Sequence, residues 1–188
     1  MKLRQAVVPN CVGQVLEVGS GSGLNFSLYD KDQVDKVWAL EPSFGMRRRA
    51  MKLERMADAP SIEWLDSTCE QLPLADESVD TILLTYTLCS IGKCDVALGQ
   101  MLRVLKPRGR LLFCEHGLAP DRGTRRLQRL MNPLWRKLAG GCHLTRQIDA
   151  LIEGGGFEIQ TLERAYTKQL PRFVGYCYWG AATKDQAL

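Results

Sequence analysis

The 188 residues read as an α/β chain, a largely parallel sheet covered by helices on both faces. Three observations predict it. Short apolar runs alternate with amphipathic stretches for most of the length. The run Val15-Leu16 passes into Glu17-Val18-Gly19-Ser20-Gly21-Ser22-Gly23, a glycine turn of the kind that joins a buried strand to a helix and brings free backbone amides to a ligand. Finally, Val37-Trp38-Ala39-Leu40 ends in Glu41, about twenty residues past the turn, where an acid at the next strand end can accept ribose hydroxyls.

In chain order, strands are expected near 14–18, 36–40, 61–65, 79–85 and 110–116, and helices near 23–30, 44–57, 95–105 and 145–154. The first helix follows the glycines, starting near Leu24. Pro42 stops the second strand, and Ser43 is placed to cap the helix that carries Met46 and the basic run beyond it. Asp76-Glu77-Ser78-Val79-Asp80 leads into the apolar Thr81-Ile82-Leu83-Leu84-Thr85. Leu111 to His116 forms the fifth strand after Lys106-Pro107-Arg108-Gly109, a turn in which Gly109 alone takes left-handed geometry cheaply. Phe157 to Leu162 alternates apolar and polar like an outer strand, and Phe173 to Gly180 reads as another.

Composition narrows the class. One domain over 1–188 accounts for the length, with a cap segment around 118–146. No repeat and no apolar run of spanning length is present, and Ala6-Val7-Val8 is too short for a signal peptide. Seven cysteines, odd in number and never in a C-x-x-C pair, signal neither a disulfide framework nor a zinc site and suit a reducing cytoplasm. The net charge is +4. Its basic stretches, Arg47 to Arg55 and Arg122 to Lys137, read first as solvated faces. Adsorption to an anionic membrane is the second reading, and nucleic acid is disfavoured because no aromatic residues interleave with the arginines. Oligomeric state is not legible.

The glycine spacing identifies the ligand class. The dinucleotide fingerprint needs a glycine where Leu24 stands. The acid-x-Gly-x-Gly-x-Gly run instead resembles motif I of the class I S-adenosylmethionine-dependent methyltransferases, type 11 group. Glu41-Pro42-Ser43, the segment Asp66 to Leu74 and the segment Met101 to His116 extend the resemblance from about Val15 to Phe113. It implies a Rossmann-like seven-stranded, mostly parallel sheet of order 3-2-1-4-5-7-6 with strand 7 antiparallel, and S-adenosyl-L-methionine as cofactor. The same resemblance puts Gly19, Ser20, Gly21 and Gly23 under the methionine and ribose parts, Glu17 at the amino end and Glu41 on the ribose hydroxyls, with Pro42 and Met46 beside it. Relatives carry an adenine-binding acid where Thr68 falls, so that role passes to Asp66, Thr68 and the amide of Cys69; Thr85 and Leu88 complete the cofactor set.

The acceptor is less legible. After the fourth strand, Thr85-Tyr86-Thr87-Leu88-Cys89-Ser90 offers neither the Asn/Asp-Pro-Pro-aromatic motif of adenine and glutamine N-methylating enzymes nor the carboxylates that hold magnesium in catechol O-methyltransferases, so no metal is expected. Thr87 to Ser90, Cys114-Glu115-His116, Asn132 to Trp135 and Gly141 to Arg146 resemble the alkyl thiol S-methyltransferases. Those relatives are tethered to membranes by an N-terminal helix that is not found in this sequence. The resemblance implies a small, apolar acceptor, a thiol first, with a quinone-type ring carbon or a phospholipid amine as alternatives and a non-catalytic cofactor-binding subunit as an alternative of another class. His116, ending the fifth strand, is the candidate general base for a thiol. Trp135, Cys89 and Cys142 read as packing groups.

Overall fold

In the computed structural model, which describes residues 2–168 and 170–184, the sheet is built as the resemblance implies. The elements are α1 (Lys2–Val7), β1 (Gly13–Val18), β2 (Val34–Leu40), α2 (Phe44–Glu54), β3 (Ser61–Leu65), β4 (Val79–Thr85), α3 (Cys94–Val104), β5 (Leu105–His116), α4 (Arg122–Leu138), α5 (Ile148–Gly154), β6 (Phe157–Tyr166), α6 (Arg172–Gly175) and β7 (Tyr176–Lys184). The strand order is β3-β2-β1-β4-β5-β7-β6. The first five strands are parallel neighbours, and β7 runs antiparallel to both β5 and β6.

The sheet is buried on both faces because its central strands carry apolar side chains on both. Leu16, Ile82, Leu84, Leu111 and Phe113 face one cluster, which also takes Ala97, Leu98, Met101 and Val104 from α3. Val15, Val37, Leu83, Leu112 and Cys114 face the other, closed by Val7 and Val8 of the N-terminal segment, Phe26 and Ala50. Burial on this scale stabilises each large side chain by about 1.5–3 kcal/mol. Between β1 and β4 the order of strands reverses, which opens a crevice beyond their C-terminal ends.

Four local expectations are corrected. No α-helix follows the glycine turn: successive i→i−3 bonds, Gly23 N–H to Ser20 O, Phe26 N–H to Gly23 O and Leu28 N–H to Asn25 O, give tight turns and one 3₁₀ turn at Phe26–Leu28. The link to β2 is short: the 3₁₀ turn already ends at Tyr29, which is extended at ψ 140°, while Asn25, Phe26 and Tyr29 are all buried. β5 begins at Leu105, so the expected turn lies within the strand as an irregularity where the pairing jumps from Val79↔Leu105 to Thr81↔Arg110. Gly109 is not left-handed there. It is required for space, since a Cβ would sit 2.4 Å from Leu105 Cδ1. At the C-terminal strand, Arg172–Gly175 forms a helical turn and β7 starts at Tyr176.

The fourth correction concerns the cap. The expected amphipathic segment is a helix, α4, capped by Asp121 accepting from Thr124 N–H. Its leucines do not pack on the sheet: Leu130 and Leu138 are 76% and 75% exposed. The buried positions are Thr124 and Gln128. Gln128 donates to Gly117 O at 3.0 Å and accepts from Ala119 N–H at 2.9 Å, satisfying the chain that leaves β5. A buried amide with both ends partnered fixes which side of α4 faces inward, against the simple apolar pattern.

Candidate active site

The crevice begins at the glycine turn. Gly19 and Ser20 N–H both donate to Leu40 O, at 2.8 and 3.0 Å, so the turn is stitched to the end of β2. Gly19 has φ +73°, and a Cβ there would lie 2.3 Å from Thr87 Oγ1; glycine is required on both counts. Gly21, at φ +57°, is different. A Cβ on it would meet only Met46 Cε at 3.7 Å and Gly19 O at 3.9 Å, so this glycine faces open space. Gly23 turns away, its missing Cβ directed at Phe26 and the backbone of Ala50.

Glu41 closes the next side. Its carboxylate accepts from Gly21 N–H at 2.9 Å and from Ser43 N–H at 2.7 Å, while Ser43 caps α2 through Met46 N–H. Held by two amides, the carboxylate is pre-oriented with lone pairs remaining for two hydroxyls. Opposite it lie Thr68, Cys69 and Glu70, and from β4 come Thr85, Tyr86 and Thr87. Together these residues line a cavity of about 800 Å³ that also takes Arg4 of α1 and, beyond the end of α4, Ala139 and Gly140.

The expected cofactor residues divide on this geometry. Gly19, Ser20, Gly21, Glu41, Pro42, Met46, Thr68, Cys69 and Thr85 line the cavity. Four other expected cofactor residues do not, nor does His116, the expected general base. Glu17 is 1% exposed, its carboxylate taken by Asn25 Nδ2 at 2.7 Å and Tyr29 OH at 2.8 Å. Burial pushes its carboxyl upward, while those two bonds and the charge of Arg4 pull it back. Leu88 is fully buried in the core, and Gly23 is a packing position. The Asp66 side chain stands in solvent, 3.5 Å from Arg47. His116 lies on the far side of Tyr86, ring centroids 4.5 Å apart, with Nδ1 3.5 Å from Cys177 Sγ. Burial holds its imidazole down at about 4, so it is uncharged at neutral pH.

Among the lining residues missed in the sequence, three carry a charge or a phenol: Glu70, Arg4 and Tyr86. Glu70 is an acid beside Thr68 and Cys69, two residues after the position where the motif places one. Arg4 comes from α1: its Nη1 donates to Asn25 Oδ1 and to Thr85 Oγ1, both at 2.7 Å, and its guanidinium lies 5.2 Å from the centroid of Tyr86. Through Asn25 it is linked to the buried Glu17, so this end of the cavity has a cation at its wall and a carboxyl group beneath its floor. Tyr86 is left-handed, φ 58°, a strained conformation for a residue with a Cβ. A lone arginine near the N-terminus and a tyrosine after a strand carry no sequence motif, so neither was legible.

Glu115 holds this loop in place. Fully buried, it accepts from Thr87, Leu88 and Cys89 N–H at 2.7, 2.9 and 3.2 Å. Burial raises it to about 6 and the three amides restrain the rise. Alternation along β5 sends it to the opposite face from His116, as expected.

The residues fit S-adenosylmethionine. The cavity has room for it, the open face of Gly21 lets a ligand pass close to the backbone, Glu41 can take the ribose, and the zwitterionic methionine end meets separated charges. Among the described residues no group of three or more His, Cys, Asp or Glu is arranged to hold a metal ion, and no helix is long and apolar enough to cross a membrane.

Comparison with known proteins agrees with the geometry. The methyltransferase domain family model matches residues 16–113. Thiol S-methyltransferase TMT1B of Rattus norvegicus is 34% identical over 155 residues, covering 79% of this chain and 62% of that protein; the chain thus spans under two thirds of that relative's length. A demethylmenaquinone methyltransferase of Renibacterium salmoninarum is 32% identical over 102 residues, covering 54% of this chain and 40% of that protein. Among solved structures, an S-adenosylmethionine-dependent methyltransferase from Methanosarcina mazei superposes with TM-score 0.70 at 20% identity, covering 91% of this chain and 92% of that one, a likeness of fold.

Proposed function

The chain belongs to the methyltransferase domain family, and on that premise we propose that it transfers a methyl group from S-adenosylmethionine to a small, apolar thiol. The observation that carries the acceptor class is the 34% identity to a thiol S-methyltransferase across 79% of this chain, which includes acceptor-side segments as well as the cofactor motifs. When bound, the cofactor supplies an electrophilic methyl on a sulfonium; the thiol sulfur forms the new C–S bond as the old one breaks, its electron pair going to the cofactor sulfur, and the thiol proton is released to solvent.

The residues of the chain do the rest by placement. Glu41 takes the ribose, Gly19 and Gly21 let the cofactor lie against the backbone, and Arg4 faces the methionine carboxylate. Thr68 and Glu70 meet the adenine. Alignment of the two reactants supplies most of the rate in such a transfer. An imidazole held at about 4 is a poor acceptor for a thiol proton, whose pKa is about 8.5. His116 therefore acts in this reading as an uncharged contact to the acceptor, and the thiolate is favoured by the cationic surroundings of Arg4 instead.

Two finer readings accompany it. Seven free thiols are compatible with a reducing compartment such as the cytoplasm. The exposed Leu127, Leu130, Leu134 and Leu138 of α4, on a helix with five arginines, one lysine and no acid, suit peripheral contact with an anionic lipid surface. The test of function is transfer of labelled methyl from S-adenosylmethionine to panels of thiols, quinones and phospholipid amines. Turnover with thiols upholds the reading. Turnover only with demethylated quinones replaces it with ring C-methylation, and no turnover alongside tight cofactor binding favours a non-catalytic subunit.

A further inference from the structure

Behind Tyr86, on the side away from the cofactor cavity, lies a second cavity of about 570 Å³. Tyr86 lines both. The walls are aromatic and aliphatic, with Leu3 from α1, Tyr166 from the end of β6 and Trp179 from β7, and His116 sits at the end of β5. The solvent edge carries two exposed lysines, Lys2 and Lys168, and among the described residues no carboxylate lines the space.

We propose that this second cavity is the acceptor pocket, and that it selects a compact apolar thiol bearing an anionic group. The proposal rests on the reading that the chain methylates thiols. The sulfur end would reach the cofactor past Tyr86, the residue shared by the two cavities, whose strained backbone is fixed by Tyr86 N–H donating to Cys114 O at 2.8 Å. The apolar body would lie among Leu3, Tyr166 and Trp179. Uncharged His116 lets an apolar ring approach without burying a second cation, and Lys2 and Lys168 meet the anionic end at the mouth. With cations at the edge and Arg4 beside Tyr86, an acceptor carrying an ammonium is repelled, which supplies selectivity by exclusion as well as by attraction.

Three thiols built on one para-substituted benzenethiol ring test it: 4-mercaptophenylacetate, 4-methylbenzenethiol and 4-(aminomethyl)benzenethiol. In the wild type the carboxylate should exceed the amine in kcat/KM by about tenfold or more, with the neutral thiol between them. The double variant Lys2→Glu, Lys168→Glu should narrow or invert that order while S-adenosylmethionine affinity by calorimetry stays within about twofold. An order of preference that the double variant leaves unchanged overturns the pocket. If no thiol is methylated, the thiol reading fails separately, and the pocket is then decided by binding. Saturable quenching by 4-mercaptophenylacetate in the presence of S-adenosylhomocysteine, removed by Trp179→Phe and weakened by the double variant, upholds it. Absence of such binding overturns it.

Discussion

Replacing Glu41 by alanine separates the cofactor reading from the fold. Both carboxylate oxygens already accept a backbone amide, from Gly21 at 2.9 Å and Ser43 at 2.7 Å, and both amides are close enough to solvent for water to replace the lost acceptor. The direct effect on stability is accordingly small. The effect on cofactor binding is larger, because two ribose hydroxyls lose a charged, pre-oriented acceptor. Hydrogen bonds to charged groups contribute about 1.5–3 kcal/mol each when buried, but this side chain is half-buried and the hydroxyls regain water, so the expected loss is about 1–3 kcal/mol, or about 5- to 150-fold in Kd. Calorimetric titration with S-adenosylhomocysteine reads it directly. A cycle with a 2′-deoxy analogue assigns it: deoxygenation should weaken binding to the wild type and much less to Glu41→Ala. Equal losses in both proteins, or unchanged affinity for the parent ligand, would refute the ribose role.

Three other perturbations follow from the geometry. Gly19→Ala combines a left-handed residue with a Cβ 2.3 Å from Thr87 Oγ1, and should lower stability by about 2–4 kcal/mol in urea melts, part of it recovered by Thr87→Ala; an unchanged midpoint would contradict the packing described. His116 is depressed from 6.5 to about 4 by burial, so its neutral form is favoured in the folded state: its contribution is complete above pH 6.5 and is lost as pH falls through 4, at most about 3 kcal/mol. The opposite rise at Glu115, from 4.5 to about 6, adds stability over pH 6 to 4.5 and masks part of this loss. The measurement is therefore the difference between wild type and His116→Asn, and parallel pH curves would refute it. Amides of α4, a helix burying only Thr124 and Gln128, should exchange with deuterium faster than those of β4 and β5; equal protection would show that the helix is no lid.

The sequence by itself determined the sheet and picked out many of the residues that line the crevice, because both depend on local signals. Glycines at Gly19 and Gly21 are required by backbone geometry at those positions, Glu41-Pro42-Ser43 ends a strand and starts a helix within three residues, and apolar runs of strand length have few ways to be buried except as a parallel sheet. The strand order was legible only through resemblance, since pattern does not specify which strands are neighbours. Tertiary structure decided everything that depends on residues far apart in the chain. Glu17 looked like a ligand and is consumed by Asn25 and Tyr29. Arg4 joins the site from a helix at the other end of the fold, and Glu70 takes the place expected of Asp66 through the course of one loop. The leucines of α4 are exposed and Gln128 is inside, because two backbone groups leaving β5 need partners and a glutamine amide supplies both. His116 lies across Tyr86 from the cofactor because alternation on β5 can assign it a face, while what faces it is set by α1, β6 and β7, elements that only the folded chain brings together.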